Sequence, residues 1–286
     1  MQHLTNLVLS IRKKESALYG MNYLRFPALV ALDISATVAP NRLIEFIANH
    51  PGIVRLHLHF LESSATNPFE PHHLPMLRAL KLRVENTGTF ASFLGTPAES
   101  AEHAFARRPH IEHFSIYNLR SFQFLKDHIK PFRRQLRRLD LQVWDERPIF
   151  KGEFYELLES FTALEELSMT IVGREDLGTK RMKVQSIYEL KCLLRSLKEC
   201  ASFRALHLHD AGAKMLNTSD LQGIDPVPPP LQYISWGYRD GKTTYRIIHN
   251  TESQSAYAIV YEVSPPPHEI VYDWTSRNTF RHLFVD

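Results

Sequence analysis

The chain has 286 residues, 44% of them hydrophobic and 23% charged, with a formal net charge of +3. These are ordinary values for a folded globular protein, and the length suffices for one large domain or two small ones. No apolar run reaches the length of a membrane span, since His, Arg or Asp interrupts each one, and so small a charge excess does not by itself point to nucleic acid.

The opening stretch, MQHLTNLVLSIRKKES, carries an apolar patch without a basic lead-in or a small-residue cleavage site, so it reads as folded protein and not as a signal peptide. A pattern begins inside it: apolar, two free positions, apolar, one free position, apolar. Its copies are Leu4/Leu7/Leu9, Leu29/Leu32/Ile34, Ile53/Leu56/Leu58 and Leu77/Leu80/Leu82. It continues as Ile111/Phe114/Ile116, Leu136/Leu139/Leu141, Leu164/Leu167/Met169, Phe203/Leu206/Leu208 and Leu231/Ile234/Trp236. The first positions lie 25, 24, 24, 34, 25, 28, 39 and 28 residues apart. Five of the nine copies have proline two residues upstream, at Pro27, Pro51, Pro75, Pro109 and Pro229.

The last two apolar positions alternate with polar ones, which predicts a short strand buried on one face. A proline just ahead suits a turn leading into a strand and cannot continue a preceding helix. Helical patterns lie between, over Arg42–Asn49, Phe122–Ile129, Phe154–Phe161 and Val184–Cys200. The longer gaps hold insertions, and Thr96-Pro97-Ala98-Glu99 predicts an extra helix in the first of them. Strand, helix and return to a parallel neighbour is a right-handed crossover, and stacked units share one core. The fold class expected is therefore α/β, a right-handed solenoid of about nine irregular repeats with a parallel sheet on one face and helices on the other. Residues 1–222 form the solenoid, and 223–286 form the last repeat, a capping hairpin and a tail. The hairpin is expected from Thr243–His249 and Ala256–Val263 around the polar turn Asn250–Ser255. The tail aromatics Trp274, Phe280 and Phe284 are expected to pack on the last repeats.

The only cysteines, Cys192 and Cys200, stand eight apart in a helical pattern. About 12 Å of helix rise separates such positions, too far for a disulfide, so reduced thiols and a cytoplasmic or nuclear location are expected.

In aggregate the copies resemble the irregular leucine-rich repeats of F-box proteins, over about Leu4 to Trp236. The closing stretch Pro228-Pro229-Pro230-Leu231-Gln232-Tyr233-Ile234-Ser235-Trp236, with Thr244-Tyr245-Arg246-Ile247, is similar to the end of fungal F-box/leucine-rich-repeat proteins. The resemblance implies a leucine-rich-repeat solenoid that serves as the substrate-recognition part of a ubiquitin-ligase receptor. The chain opens within three residues on Leu4-Thr5-Asn6-Leu7, with no recognisable F-box ahead of the first repeat. A ligase adaptor is thus an expected partner only where an F-box precedes Met1.

The polar positions of each strand form a ladder on the face opposite the core, which is the usual ligand side of a solenoid. Four consecutive repeats place Arg55, His57, His59, Lys81, Arg83, His113 and Arg138 there, with Tyr117 and Trp144 as nearby aromatic anchors. This set is the candidate partner-binding surface, suited to an acidic or phosphorylated protein segment; a solvated sheet face that has drifted basic is the other reading. The run Arg133-Arg134-Gln135-Leu136-Arg137-Arg138 lacks an aromatic platform for bases, so nucleic acid is not the expected partner, and neither is a membrane. Asp140 and Glu166 fall on neighbouring strands beside Arg138, where an ion pair is expected. Neither catalytic residues nor a cofactor are expected: the chain contains no GxSxG, GxxxxGK, GxGxxG or HExxH motif. The alternative of a metal protein or enzyme rests on His207, His209 and Asp210, a pair of histidines two apart on a strand with a carboxylate beside them.

Overall fold

The computed structural model describes residues 3–11, 20–39, 41–63, 71–83, 110–119, 122–143, 152–171, 187–212, 216–222, 224, 227–238, 241–249 and 258–263. The helix expected at Thr96-Pro97-Ala98-Glu99, Trp144, the turn Asn250–Ser255 and the tail with Trp274, Phe280 and Phe284 lie outside the described residues.

Each apolar triplet builds a strand that begins two residues after its first member. These are β1 (Asn6–Ile11), β2 (Ala31–Ala39), β3 (Arg55–Ser63), β4 (Ala79–Arg83), β5 (His113–Leu119), β6 (Arg138–Val143), β7 (Glu166–Ile171), β8 (Ala205–Gly212) and β9 (Tyr233–Tyr238). Two further strands follow, β10 (Gly241–His249) and β11 (Ala258–Val263). The chain divides into two compact units, one holding β1 to β5 and the other β6 to β11. In the first unit consecutive strands pair in parallel, with Asn6, Ala31, Arg55, Ala79 and His113 in one row. In the second, β6 to β9 do the same, with Arg138, Glu166, Ala205 and Tyr233 in one row. There β10 pairs antiparallel with both β9 and β11, so the hairpin expected near the C-terminus is present and also closes back on the last repeat strand. The protein is thus of mixed α/β class, with a mostly parallel sheet in each unit.

The register follows from what each strand buries. A one-residue slip would turn every leucine to the wrong face. Leu32, Leu56, Leu80 and Phe114 stand side by side on β2 to β5, as do Ile34, Leu58, Leu82 and Ile116, and all are buried. The second unit repeats this with Leu139, Leu167, Leu206 and Ile234, and with Leu141, Met169, Leu208 and Trp236. Each such side chain contributes roughly 1.5–3 kcal/mol by leaving water. The corresponding residues of β1, Leu7, Leu9 and Ile11, are only half-buried, because β1 ends the order of strands.

Two backbone devices set the start of the strands. The first is a turn: the amide of the leading apolar residue donates to the carbonyl three residues earlier. It is made by Leu29 to Phe26 (3.0 Å), Ile53 to His50 (3.1 Å), Leu77 to Leu74 (3.2 Å), Phe203 to Cys200 (3.2 Å) and Leu231 to Pro228 (3.0 Å). The upstream prolines Pro27, Pro51, Pro75 and Pro229 occupy the second position of these turns, where a fixed φ near −65° and the missing N–H cost nothing. The first turn residues are buried in both units, Phe26, His50 and Leu74 in the first and Cys200 and Pro228 in the second, where Phe161 stands at the same offset from Leu164. The second device is a shared acceptor. The carbonyl just before a strand accepts the two successive amides at the start of the next strand, as Thr5 does from Val30 (2.8 Å) and Ala31 (3.0 Å). Val30, Val54, Arg78, Arg137, Glu165 and Arg204 repeat the arrangement.

The described helices return the chain between strands, each burying one stripe. Asn41–Ala48 buries Leu43, Ile44, Phe46 and Ile47; Gly152–Glu159 buries Phe154, Leu157 and Leu158; Ile187–Ser196 buries Leu190, Leu193 and Leu194. The last of these ends before Cys200, which sits in the turn that follows, so the two cysteines do not share a helix. The Cys200 thiol donates to the carbonyl of Leu164 (3.0 Å), and burial raises its pKa. In 122–132 the helical winding starts as α, widens over Leu125–Ile129 and tightens over Lys130–Phe132. Pro131 has no amide to donate, so an ordinary ladder cannot pass through it.

His50 is the polar residue among the buried turn residues of the first unit. The amide of Phe26 donates to its Nε2 (3.0 Å), so that nitrogen carries no proton, and Nδ1–H donates to the carbonyl of Phe46 (2.6 Å). The ring stacks on Phe26 at a centroid distance of 5.7 Å. Burial, above the other influences, holds its pKa below the ordinary 6.5. The unfolded chain therefore takes up a proton that the folded one refuses, so the contribution of His50 to stability is complete above pH 6.5 and declines as pH falls below it. His50→Leu is expected to destabilise by about 1–3 kcal/mol at alkaline pH, since the Phe26 amide loses its acceptor. The same variant should lose less than the parent on acidification, as read from urea unfolding at both pH values.

Candidate functional site

Strand alternation turns every second residue away from the apolar stack, into rows that run across each sheet. In the first unit one row is Asp33, His57, Lys81 and Ser115 on β2 to β5. Arg55 and His59 stand on either side of His57 along β3, and Arg83 lies in register with Tyr117. The side chains of this row have packed together. His57 Nδ1 lies 3.1 Å from Asp33 Oδ2, with side-chain exposures of 16% and 11% that mark a pair largely withdrawn from water. The Lys81 ammonium sits over the ring of Tyr117, 4.7 Å from its centroid, and the His57 and Tyr117 rings lie 6.4 Å apart. Tyr117 thereby reaches back over two strands and holds the lysine in place. Burial is the main influence lowering the His57 pKa; the Asp33 carboxylate pulls it up, and Lys81 pushes it down again.

Of the expected partner-binding residues, Arg55, His57, His59, Lys81 and Tyr117 are half-buried in this one unit. His113 shares their face but is buried, at 4% exposure, so it does not meet solvent as the other members do. Of Arg83 only the backbone is described, and Trp144 lies outside the described residues. Arg138 belongs to the second unit.

There Arg138 is fully engaged. Its Nε lies 3.1 and 3.2 Å from the two oxygens of Asp140, and its Nη1 lies 3.2 and 3.3 Å from those of Glu166. Glu166 is 1% exposed, the most deeply buried charged residue of either row. It is joined from the other side by His207, whose Nε2 lies 3.2 Å from Oε1. Burial alone would raise the Glu166 pKa; the His207 hydrogen bond and the Arg138 charge outweigh it and hold the carboxyl below its ordinary range. The His207 Nδ1 atom is buried and has no hydrogen-bond partner among the described residues. On the neighbouring strands Ser235 and Thr244 are bonded to each other (3.0 Å), and the Tyr245 hydroxyl donates to the carbonyl of Leu216 (2.6 Å). A second, separate pair joins Arg137 to the buried Glu165, with Nε donating to Oε1 (2.6 Å).

The arginine set expected to contact a partner is therefore split. In the first unit Asp33 pairs with His57 beside Lys81, and the second locks its arginine between two carboxylates. The ion pair expected around Arg138, Asp140 and Glu166 is present; the part played by His207 is a diagonal contact, which strand position alone does not reveal. His207 Nε2 is used by Glu166, and among the described residues no group of three His, Cys, Asp or Glu side chains is placed to hold a metal ion.

Breaking a buried pair from one side leaves an uncompensated charge. Arg138→Met is expected to cost about 3–5 kcal/mol in urea unfolding, and adding Glu166→Leu to it should restore much of that loss. A double variant no more stable than Arg138→Met would show that the pair itself is not the source.

Comparison with protein-family models and with curated protein sequences finds no match to this chain.

Proposed function

We propose that the chain is a recognition module of leucine-rich-repeat type, and that it holds an acidic or phosphorylated protein segment on the polar sheet face of the first unit. One observation carries the reading: strands in strict register present Arg55, His57, His59, Lys81 and Tyr117 on one face of one unit. The repeat spacing, the turn prolines and the parallel pairing support a solenoid of stacked crossovers. Cations on a rigid sheet suit carboxylate or phosphate, because they are positioned before the ligand arrives. The resemblance to F-box/leucine-rich-repeat proteins extends the proposal to the substrate-recognition half of a ubiquitin-ligase receptor. On this reading the protein works by binding and not by catalysis.

The test is binding to an immobilised degenerate phosphopeptide library and to its unphosphorylated and glutamate-rich counterparts, at fixed salt. Charge reversal of Lys81→Glu together with Arg83→Glu is expected to weaken retention at least about tenfold while the thermal unfolding curve stays cooperative. Unchanged retention, or no retention of any anionic library, would remove the proposal. The ligase extension is tested separately, by mixing the full-length gene product with a purified ligase adaptor; no complex would discard that part alone.

A further inference from the structure

Strands of both units begin at the same backbone junction, yet the side chains set around it differ between the units. At the entries to β2 and β3 stand Pro27, Val30, Pro51 and Val54, none of them charged. The matching positions of β6, β7 and β8 are Arg134 and Arg137, Thr162 and Glu165, and Ala201 and Arg204. Valine serves the shared carbonyl as well as arginine does, so the junction itself requires no charge. The eight residues leading into each of β6, β7 and β8, numbered 130–137, 158–165 and 197–204, hold six Lys or Arg against Glu159, Glu165 and Glu199. That excess equals the formal +3 of the whole chain, so the rest of the sequence is balanced.

Two of the three carboxylates are already engaged. Glu199 lies 3.4 Å from Lys198, and Glu165 accepts from Arg137 Nε at 2.6 Å. Lys130, Arg133, Arg134 and Arg204 then stand against Glu159 alone, and Lys130, Arg134 and Arg204 are exposed.

The backbone positions these arginines before a ligand arrives. Arg133 and Arg134 lie on a turn between the buried Phe132 and Leu136, and the Phe132 carbonyl accepts the amides of Gln135 (3.0 Å) and Leu136 (2.9 Å). The Arg137 side chain is 53% exposed but fixed by Glu165, which is 12% exposed. Arg137, Glu165 and Arg204 form one row, since the Glu165 amide donates to the Arg137 carbonyl (2.7 Å) and the Arg204 amide to that of Glu165 (2.8 Å). Two strand spacings of about 4.8 Å put the Arg137 and Arg204 backbones roughly 10 Å apart, or about three residues of extended chain. An acid at either end meets an arginine, whereas one in the middle meets Glu165.

We propose that the strand-entry edge of the second unit binds an extended protein segment whose acidic residues are three apart, with neutral residues between them. This surface is separate from the polar face of the first unit and does not depend on the reading given to it. Arginine forks suit carboxylates, and a fork held in advance loses little freedom on binding. Nucleic acid fits less well, because the aromatics of these three entries, Phe132, Phe161 and Phe203, are buried and give bases no platform.

The experiment is fluorescence anisotropy with labelled peptides on a Gly/Ser background, at about 0.1 M salt. One peptide carries four Asp three apart, the second the same four in one block, and the third Asn in their place. The full chain is used with Lys81→Glu and Arg83→Glu, so that the first unit does not contribute. The spaced peptide is expected to bind about threefold tighter than the block, and the Asn peptide not measurably. Arg134→Gln and Arg204→Gln should each weaken the spaced peptide about threefold. Neither arginine makes an ion pair among the described residues, so these variants leave no carboxylate unpaired. Glu165→Gln should erase the preference for spacing; if that variant unfolds, the two Asp peptides on the chain with Glu165 intact still decide. Equal affinity for spaced and block peptides overturns the spacing rule, and unchanged affinity in both arginine variants overturns the edge as the site. An oligothymidylate that binds tighter than the spaced peptide overturns the protein partner.

Discussion

Everything on the polar faces depends on register, and register depends on a carbonyl shared at the start of the strands. The group ahead of one strand accepts two successive amides from the next, so neighbouring strands begin level with each other. A parallel pair has evenly spaced bonds and no tight hairpin to fix its alignment. The shared acceptor and the preceding turn supply that alignment locally, and the stacked leucines penalise any slip. Rows such as Asp33, His57 and Lys81 exist because the apolar side of the same strands cannot move.

The two units use one geometry for opposite electrostatic ends. In the first, the Asp33 carboxylate pairs with His57, a histidine whose pKa burial lowers. In the second, Arg138 and His207 close on Glu166 from both sides, and the carboxylate stays ionised despite its burial. A network satisfied in this way specifies one arrangement of neighbouring strands.

Much of this was legible in the residues. Leu56 and Leu58 alternate with Arg55, His57 and His59, and that alternation is enough to place β3 and its two faces. The turn prolines marked the strand starts because only a proline-compatible φ fits there. The buried turn position held by Phe26, His50 and Leu74 in one unit and by Phe161, Cys200 and Pro228 in the other was not legible, since these residues share a position but no chemistry. His50 reads as any histidine until the Phe26 amide is seen to use its Nε2. The widening of the helix over Leu125–Ile129 had a signal in Pro131 that periodicity alone passes over. Contacts between rows were the least legible. Asp33 and His57 are direct register partners, yet a count of cations on one face takes His57 as basic and leaves out the carboxylate that governs it. His207 meets Glu166 across a diagonal, and that depends on side-chain reach and not on spacing.

The shared carbonyl also bears on how such a chain grows. Within each unit a repeat presents its successor with the same acceptor and the same apolar shelf, and it asks nothing of the length of the connection between them. Spacings of 24 and 39 residues serve the same junction equally well. Duplication or loss of a whole repeat therefore preserves every remaining backbone bond but one junction's worth. The polar row is then free to diversify, strand by strand, over a scaffold whose construction rule does not change.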